Sequence, residues 1–302
     1  MNKFGKILLP FITPFEKNED VNYSAFKEIL EYAISRDYCD TLIITGTTGE
    51  FNTLTFQERV KLFEIAFEVN NGRKALLAGS GCASTRESCE LSKAAKEIGY
   101  DDCMIVAPYY CKPTQQAIIR HYESIVDYAD INVLVYNIPI FTGVNVDTKT
   151  LAQLSKNPKI IGVKDESGIN PTQLTDFYLN INTIDANFLY FNGDDIMLMP
   201  TLAQGAHGIV SGGAQTVGDR IRNVITLYET GTVDKALEEY RKLYKIYKML
   251  GINGRTNPIP MARKVVEIVT GIQVGEARGP LFGVNDEEEA TMRKLLQELN
   301  II

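Results

Sequence analysis

The chain is poor in the residues that build metal centres. It has two histidines, His121 and His207, and five cysteines with no C-x-x-C pair. With no H-E-x-x-H and no clustered Cys/His set, a zinc site is not expected. An odd number of thiols suits a reducing compartment, and Cys39, Cys82, Cys89, Cys103 and Cys111 read as small hydrophobes. Positive charge is not in excess either. Thirty-one Lys and Arg stand against 38 Asp and Glu, a net charge of −7, which argues against nucleic acid or an anionic membrane surface as the main partner. No apolar run is long enough to cross a bilayer. The opening "MNKFGKILLPFITPF" is broken by Pro10 and Pro14 and has no small-residue cleavage site. It reads as a first strand, and the protein as cytoplasmic. There is no G-x-G-x-x-G after that strand and no G-x-x-x-x-G-K-[ST], so neither nucleotide-binding fingerprint is present.

What the chain does have is a recurring unit. Short apolar runs occur at 6–13, 40–46, 74–81, 102–109, 132–139, 160–167, 188–195 and 208–213. Most follow one another at a spacing that suits one strand plus one helix. The segments between them carry helix signals. "STRESCELSKAAKEIG" has Ser84 and Glu87 at capping-box spacing and Gly99 as its stop. "TFQERVKLFEIAFEV" repeats the start with Thr55 and Glu58, and Phe56, Val60, Phe63 and Phe67 then form one face expected to pack in the core. Eight strands alternating with helices predict an α/β fold, a (β/α)8 TIM barrel over 1–225. From 226 to 302 the pattern is helical only and predicts a C-terminal helical extension, packed on the barrel or on a partner subunit. "DEEEA" (286–290) reads as the acidic first turn of the last helix.

In such a barrel the chemistry sits at the C-terminal ends of the strands. The sixth run ends "GVKDES". Alternation places Gly162 and Lys164 on one face and Ile161 and Val163 on the other, so Lys164 points into the barrel with Gly162 beneath it making room. Burial disfavours an ammonium and lowers its pKa, and a neutral amine attacks ketones to form a Schiff base. The alternative is a lysine snorkelling to solvent or paired with Asp165 or Glu166. Tyr136, in "VYNIPIFTG", stands one strand away, and a phenol there is either a proton shuttle or a core tyrosine. In "ITGTTGE", Gly46 and Gly49 bracket Thr47 and Thr48, a turn able to aim N–H groups and hydroxyls at a carboxylate. Tyr109 and Tyr110 sit at a rim. Gly193, Gly212 and Gly213 allow close approach to backbone or serve as turn residues. His121 reads as a surface or interface residue. Lys112 is either solvated or a contact for a phosphate.

"GTTGE", "PYY", "YNIP…TG", "GVKD", "NGDD" and "NPIP" (257–260) occur in this order along nearly the whole chain. Together they resemble the dihydrodipicolinate synthase / N-acetylneuraminate lyase family of class I, pyruvate-handling aldolases. The resemblance implies that Lys164 forms the imine with pyruvate or a 2-keto acid, with no cofactor. It implies that Tyr136 shuttles protons, that Thr47 and Thr48 hold the keto-acid carboxylate with Thr48 also near the relay, and that Gly193 and Ile209 line the pocket. It further implies that Tyr110 reaches a neighbouring subunit's site in a homo-oligomer, commonly a tetramer. One departure stands out. The synthases usually carry an arginine in "YN-x-P-x-R-TG" for a substrate carboxylate, and Phe141 takes its place here. An apolar ring cannot pair with a carboxylate, so the leading expectation is an aldolase that splits a 2-keto-3-deoxy sugar acid, such as 2-keto-3-deoxygluconate, into pyruvate and an aldehyde. Other expectations are a dihydrodipicolinate synthase with an altered anchor such as Arg255, a keto-deoxy acid dehydratase, and a keto-acid-binding protein without catalysis.

Overall fold

A computed structural model describes residues 2–166, 170–252 and 257–302. Eight parallel strands form a closed barrel in sequence order. They are β1 (Ile7–Pro10), β2 (Thr41–Ile44), β3 (Ala75–Gly79), β4 (Asp102–Val106), β5 (Asn132–Asn137), β6 (Ile160–Asp165), β7 (Leu189–Asn192) and β8 (Gly208–Val210). Each lies inside one of the apolar runs. The strands are almost wholly buried, as befits parallel strands covered on both faces. Twelve helices accompany them among the described residues: α1 (Tyr23–Ser35), α2 (Phe56–Asn70), α3 (Thr85–Ile98), α4 (Gln115–Ala129), α5 (Pro139–Thr142), α6 (Thr148–Leu154), α7 (Gln173–Ile181), α8 (Leu198–Ala203), α9 (Ala214–Glu229), α10 (Val233–Leu250), α11 (Ile259–Thr270) and α12 (Asp286–Glu298). None is long and apolar enough to cross a membrane.

The helix starts follow from side-chain caps that satisfy exposed N–H groups. Thr55 and Glu58 form a reciprocal capping box on α2, and Asn285 and Glu288 form another on α12, whose first turn holds Asp286, Glu287, Glu288 and Glu289. Ser84 Oγ accepts from Glu87 N, and α3 stops at Gly99. The core face of α2 differs from the aromatic one expected. Arg59, Leu62, Phe63, Ala66 and Asn70 are buried, and of the four aromatic-face residues only Phe63 is among them, while Phe67 is exposed. Both sets repeat at helical spacing, but burial follows the smaller Leu62 and Ala66.

The chain forms two compact units, Met1–Ala75 with Ser211–Ile302, and Leu76–Val210. In the second unit the register carries the site. Val133 pairs with Ile160, but the next residue, Leu134, pairs with Gly162, so Ile161 is an extra residue at a bulge. Beyond it the pairing is regular, and Tyr136 lies directly beside Lys164. A Cβ on Gly162 would come within 2.5 Å of Leu189 O and 3.1 Å of Leu134 Cδ1. Gly162 therefore serves the close approach of β7 rather than making room for Lys164.

Candidate active site

Lys164 and Tyr136 are each the last but one residue of their strands, and they are 5% and 2% exposed. The lysine Nζ sits 3.7 Å from the centroid of the tyrosine ring. It also lies 3.2 Å from Oε2 of Glu166, and the same oxygen accepts the Tyr136 hydroxyl at 3.0 Å. Strand parity explains the arrangement, since 162, 164 and 166 alternate to one side. Of the two carboxylates weighed as partners for the lysine, Glu166 is the one that meets it. Asp165 points the other way. Its Oδ1 accepts from Asn137 Nδ2 and Gln173 Nε2, both at 2.9 Å, within a buried amide network that includes Asn145. That network ties the ends of β5 and β6 to the start of α7 and holds Lys164 and Tyr136 in register.

Gly193, just past β7, is required by this cluster. A Cβ there would meet Lys164 Cε at 2.5 Å and Glu166 Cβ at 2.9 Å. Asp194 and Asp195 follow it. Burial lowers the pKa of Lys164, partly opposed by Glu166, Asp195 and Asp194. Burial raises the Glu166 carboxyl, with Lys164 pulling it down and Asp194 pushing it up. The Asp194 carboxyl is also raised by burial. The lysine is thus drawn toward the neutral, nucleophilic form, with an acceptor for its proton in contact.

The other expected site residues fall as follows. In the first unit, Thr47 and Thr48 open a 3-10 turn that ends at Gly49, directly after β2. Thr45, a β-branched residue, is held at φ 57, a strained conformation worth about 1–3 kcal/mol that the surroundings must impose. The turn is fixed from behind. Glu50, at φ 55, bonds Arg263 Nη1 at 2.8 Å and Arg278 N at 3.0 Å, and Thr13 Oγ1 bonds Gly49 O at 2.7 Å. A Cβ on Gly212 would lie 3.6 Å from Thr48 Oγ1, so β8's trailing loop runs beside that hydroxyl. In the second unit, Ile209 is fully buried and pairs with Asn192. Tyr110 is 92% exposed and Phe141, on α5, is 41% exposed. The stem of Lys112 packs near Gly143, whose Cβ would be 3.1 Å from Lys112 Cε. His121 is not a surface residue. It is 3% exposed, and its Nδ1 is 2.9 Å from Thr85 Oγ1. Arg255 lies outside the described residues.

Sequence reasoning missed the shared oxygen of Glu166 and the support that Arg263 gives the threonine turn. The first was available from strand parity. The second joins residues 213 apart and had no local signal.

Among known proteins, the chain is 34% identical over 295 residues to the 4-hydroxy-tetrahydrodipicolinate synthase of Oceanobacillus iheyensis, covering 98% of this chain and 97% of the relative. A solved dihydrodipicolinate synthase of Bacillus anthracis superposes with a TM-score of 0.91 at 30% identity, covering 98% of this chain and 99% of that one. The chloride-inhibited dihydrodipicolinate synthase of Acinetobacter baumannii, solved with pyruvate, gives 0.90 at 28% identity with full coverage of both. These names overturn the expectation of a 2-keto-3-deoxy sugar acid aldolase in carbohydrate metabolism. Phe141 is one substituted contact, whereas the likeness to the synthases runs the length of the chain. The family model described as the Dihydrodipicolinate synthetase family matches residues 3–299, and this chain belongs to that family.

Proposed function

We propose that this chain is a 4-hydroxy-tetrahydrodipicolinate synthase, condensing pyruvate with aspartate semialdehyde in lysine biosynthesis. The observation that carries the reading is a buried Lys164 with a lowered pKa, set beside Tyr136. The neutral amine attacks the pyruvate ketone and water is lost. The resulting iminium is an electron sink, so a proton leaves the methyl carbon and the enamine adds to the aldehyde. The Tyr136 hydroxyl passes protons at these steps. Thr47 and Thr48 take the pyruvate carboxylate through N–H and hydroxyl groups, and Gly193 and Ile209 line the pocket. No cofactor is assigned, because the imine supplies the electron sink. Tyr110, so exposed on one chain, completes a neighbour's site in a homo-oligomer, a tetramer by family likeness. Phe141 stands where the synthases usually carry an arginine for the second substrate's carboxylate, so that carboxylate is held without a cationic anchor at this position.

The test is borohydride trapping with pyruvate, followed by mass spectrometry, together with turnover of pyruvate and aspartate semialdehyde. A pyruvate adduct on Lys164 and turnover that Lys164→Ala abolishes are expected. Turnover retained by Lys164→Ala would overturn the mechanism. An adduct without consumption of aspartate semialdehyde would overturn the choice of second substrate.

A further inference from the structure

We propose that Glu166 is a catalytic proton carrier for imine formation: it takes a proton from the Lys164 ammonium and returns it to the hydroxyl that leaves the carbinolamine. This rests on the reading of Lys164 as the imine-forming residue.

The geometry is specific. One oxygen, Oε2, meets both the reacting nitrogen at 3.2 Å and the Tyr136 hydroxyl at 3.0 Å. Space for this is built in at Gly193, where a Cβ would lie 3.0 Å from that same oxygen. A carboxylate that only balanced the lysine's charge would not need the phenol on the same oxygen. The charged and titratable groups facing the pair are Tyr136 from β5 and Asp194 and Asp195 after β7. Burial lowers the lysine and raises the glutamic acid, which moves their proton affinities toward each other.

The steps balance. Lys164 gives one proton to Glu166, leaving an amine and a carboxylic acid. The amine lone pair forms the C–N bond while the carbonyl π pair moves to oxygen. A second proton passes from nitrogen to that oxygen through the Tyr136 hydroxyl, giving a neutral carbinolamine. The Glu166 acid protonates the hydroxyl, the C–O bond breaks and water leaves. The nitrogen lone pair closes the iminium, and Glu166 is a carboxylate again. No oxidant or reductant takes part.

Rapid mixing with pyruvate and timed borohydride trapping tests this in the full chain. Glu166→Gln is expected to form the Lys164 adduct about 10²–10⁴-fold more slowly, with Glu166→Asp recovering part of the rate. The opposite role predicts the opposite sign. If the carboxylate only kept Lys164 charged, its removal would free more amine, and trapping in Glu166→Gln would speed up. Equal or faster trapping therefore overturns the proposal while leaving Lys164 as the imine residue. If Glu166→Gln fails to fold by circular dichroism, Glu166→Asp decides. A slower rate with a shifted pH profile supports proton transfer, and an unchanged rate and profile overturns it. Absence of any Lys164 adduct in the unmodified protein would sink both readings, an outcome distinct from a change in rate.

Discussion

Two buried cations, each paired with a glutamate, face opposite fates in this molecule. Arg263 in the first unit donates to Glu50 at 2.8 Å and to the carbonyls of Thr13, Val274 and Gly275 at 2.7, 2.6 and 3.0 Å. Four of its five N–H donors are matched, and a guanidinium does not lose its proton in proteins. Lys164 in the second unit has, among the described residues, one ion-pair partner at a longer 3.2 Å and the face of an aromatic ring. An ammonium has three donors to satisfy. Arg263 is therefore a structural clamp behind the Thr47–Gly49 turn, and Lys164 has fewer acceptors than donors, with burial pulling its pKa down. Burial lowers the proton affinity of both cations, and what separates them is how many acceptors each one meets.

Substituting methionine at both positions separates the two. Arg263→Met leaves Glu50 buried without its main cation, and loss of one partner of a buried pair costs about 3–5 kcal/mol. Chemical denaturation should show that loss, and activity should fall with it as the threonine turn loosens. Lys164→Met should abolish imine trapping yet unfold no more easily than the parent, because it removes a poorly satisfied charge and Glu166 can take up a proton. A stable Arg263→Met, or a Lys164→Met as unstable as it, would break the comparison.

The same contrast explains what was legible in the sequence. Strand and helix periodicity are local, so the eight runs, the caps at Thr55 and Ser84 and the stop at Gly99 were readable. Parity is local too, which is why Lys164 and Tyr136 could be placed side by side from two strand ends. The bulge at Ile161 did not disturb this, because it precedes Gly162. What the sequence hid depends on distant chain. Arg263 reaches Glu50 and Thr13 from α11. The buried face of α2 depends on what packs against it, so Phe67 looked buried by pattern and is exposed. Gly162 looked like space for a lysine because only its own strand was in view, while the atom it avoids belongs to β7.

A third buried base completes the series. His121 has one hydrogen-bonding contact, to Thr85, and its Nε2 has none among the described residues. Burial lowers its pKa from 6.5 to about 4. The unfolded chain binds this proton first as pH falls, so the imidazole's contribution to stability is present above about 6.5 and is lost toward pH 4. At 1.36 kcal/mol per pKa unit, that amounts to about 3 kcal/mol. Denaturation between pH 7 and 4 should show a slope that His121→Gln flattens. An unchanged slope would mean that the imidazole is not held neutral, and that scarcity of partners does not decide charge in this interior.

The smallest effect tests the rule from the solvent side. Phe141 is 41% exposed on α5, so an arginine placed there keeps its hydration and its charge. It should act as an anchor and not as a reactive group. A charged hydrogen bond to a carboxylate is worth about 1.5–3 kcal/mol. Phe141→Arg should therefore raise kcat/KM for aspartate semialdehyde by roughly 10–150-fold, chiefly through KM. The rate of pyruvate trapping on Lys164 should not change. A gain in kcat/KM alone would show that the semialdehyde carboxylate lacks a strong partner at α5 in the parent protein. No gain would mean that a cation already holds it, with Lys112 beside Gly143 the first residue to remove. A change in pyruvate trapping would show instead that the new charge reaches the Lys164–Glu166 pair, so that a cation at the surface also governs how far the buried one is deprotonated.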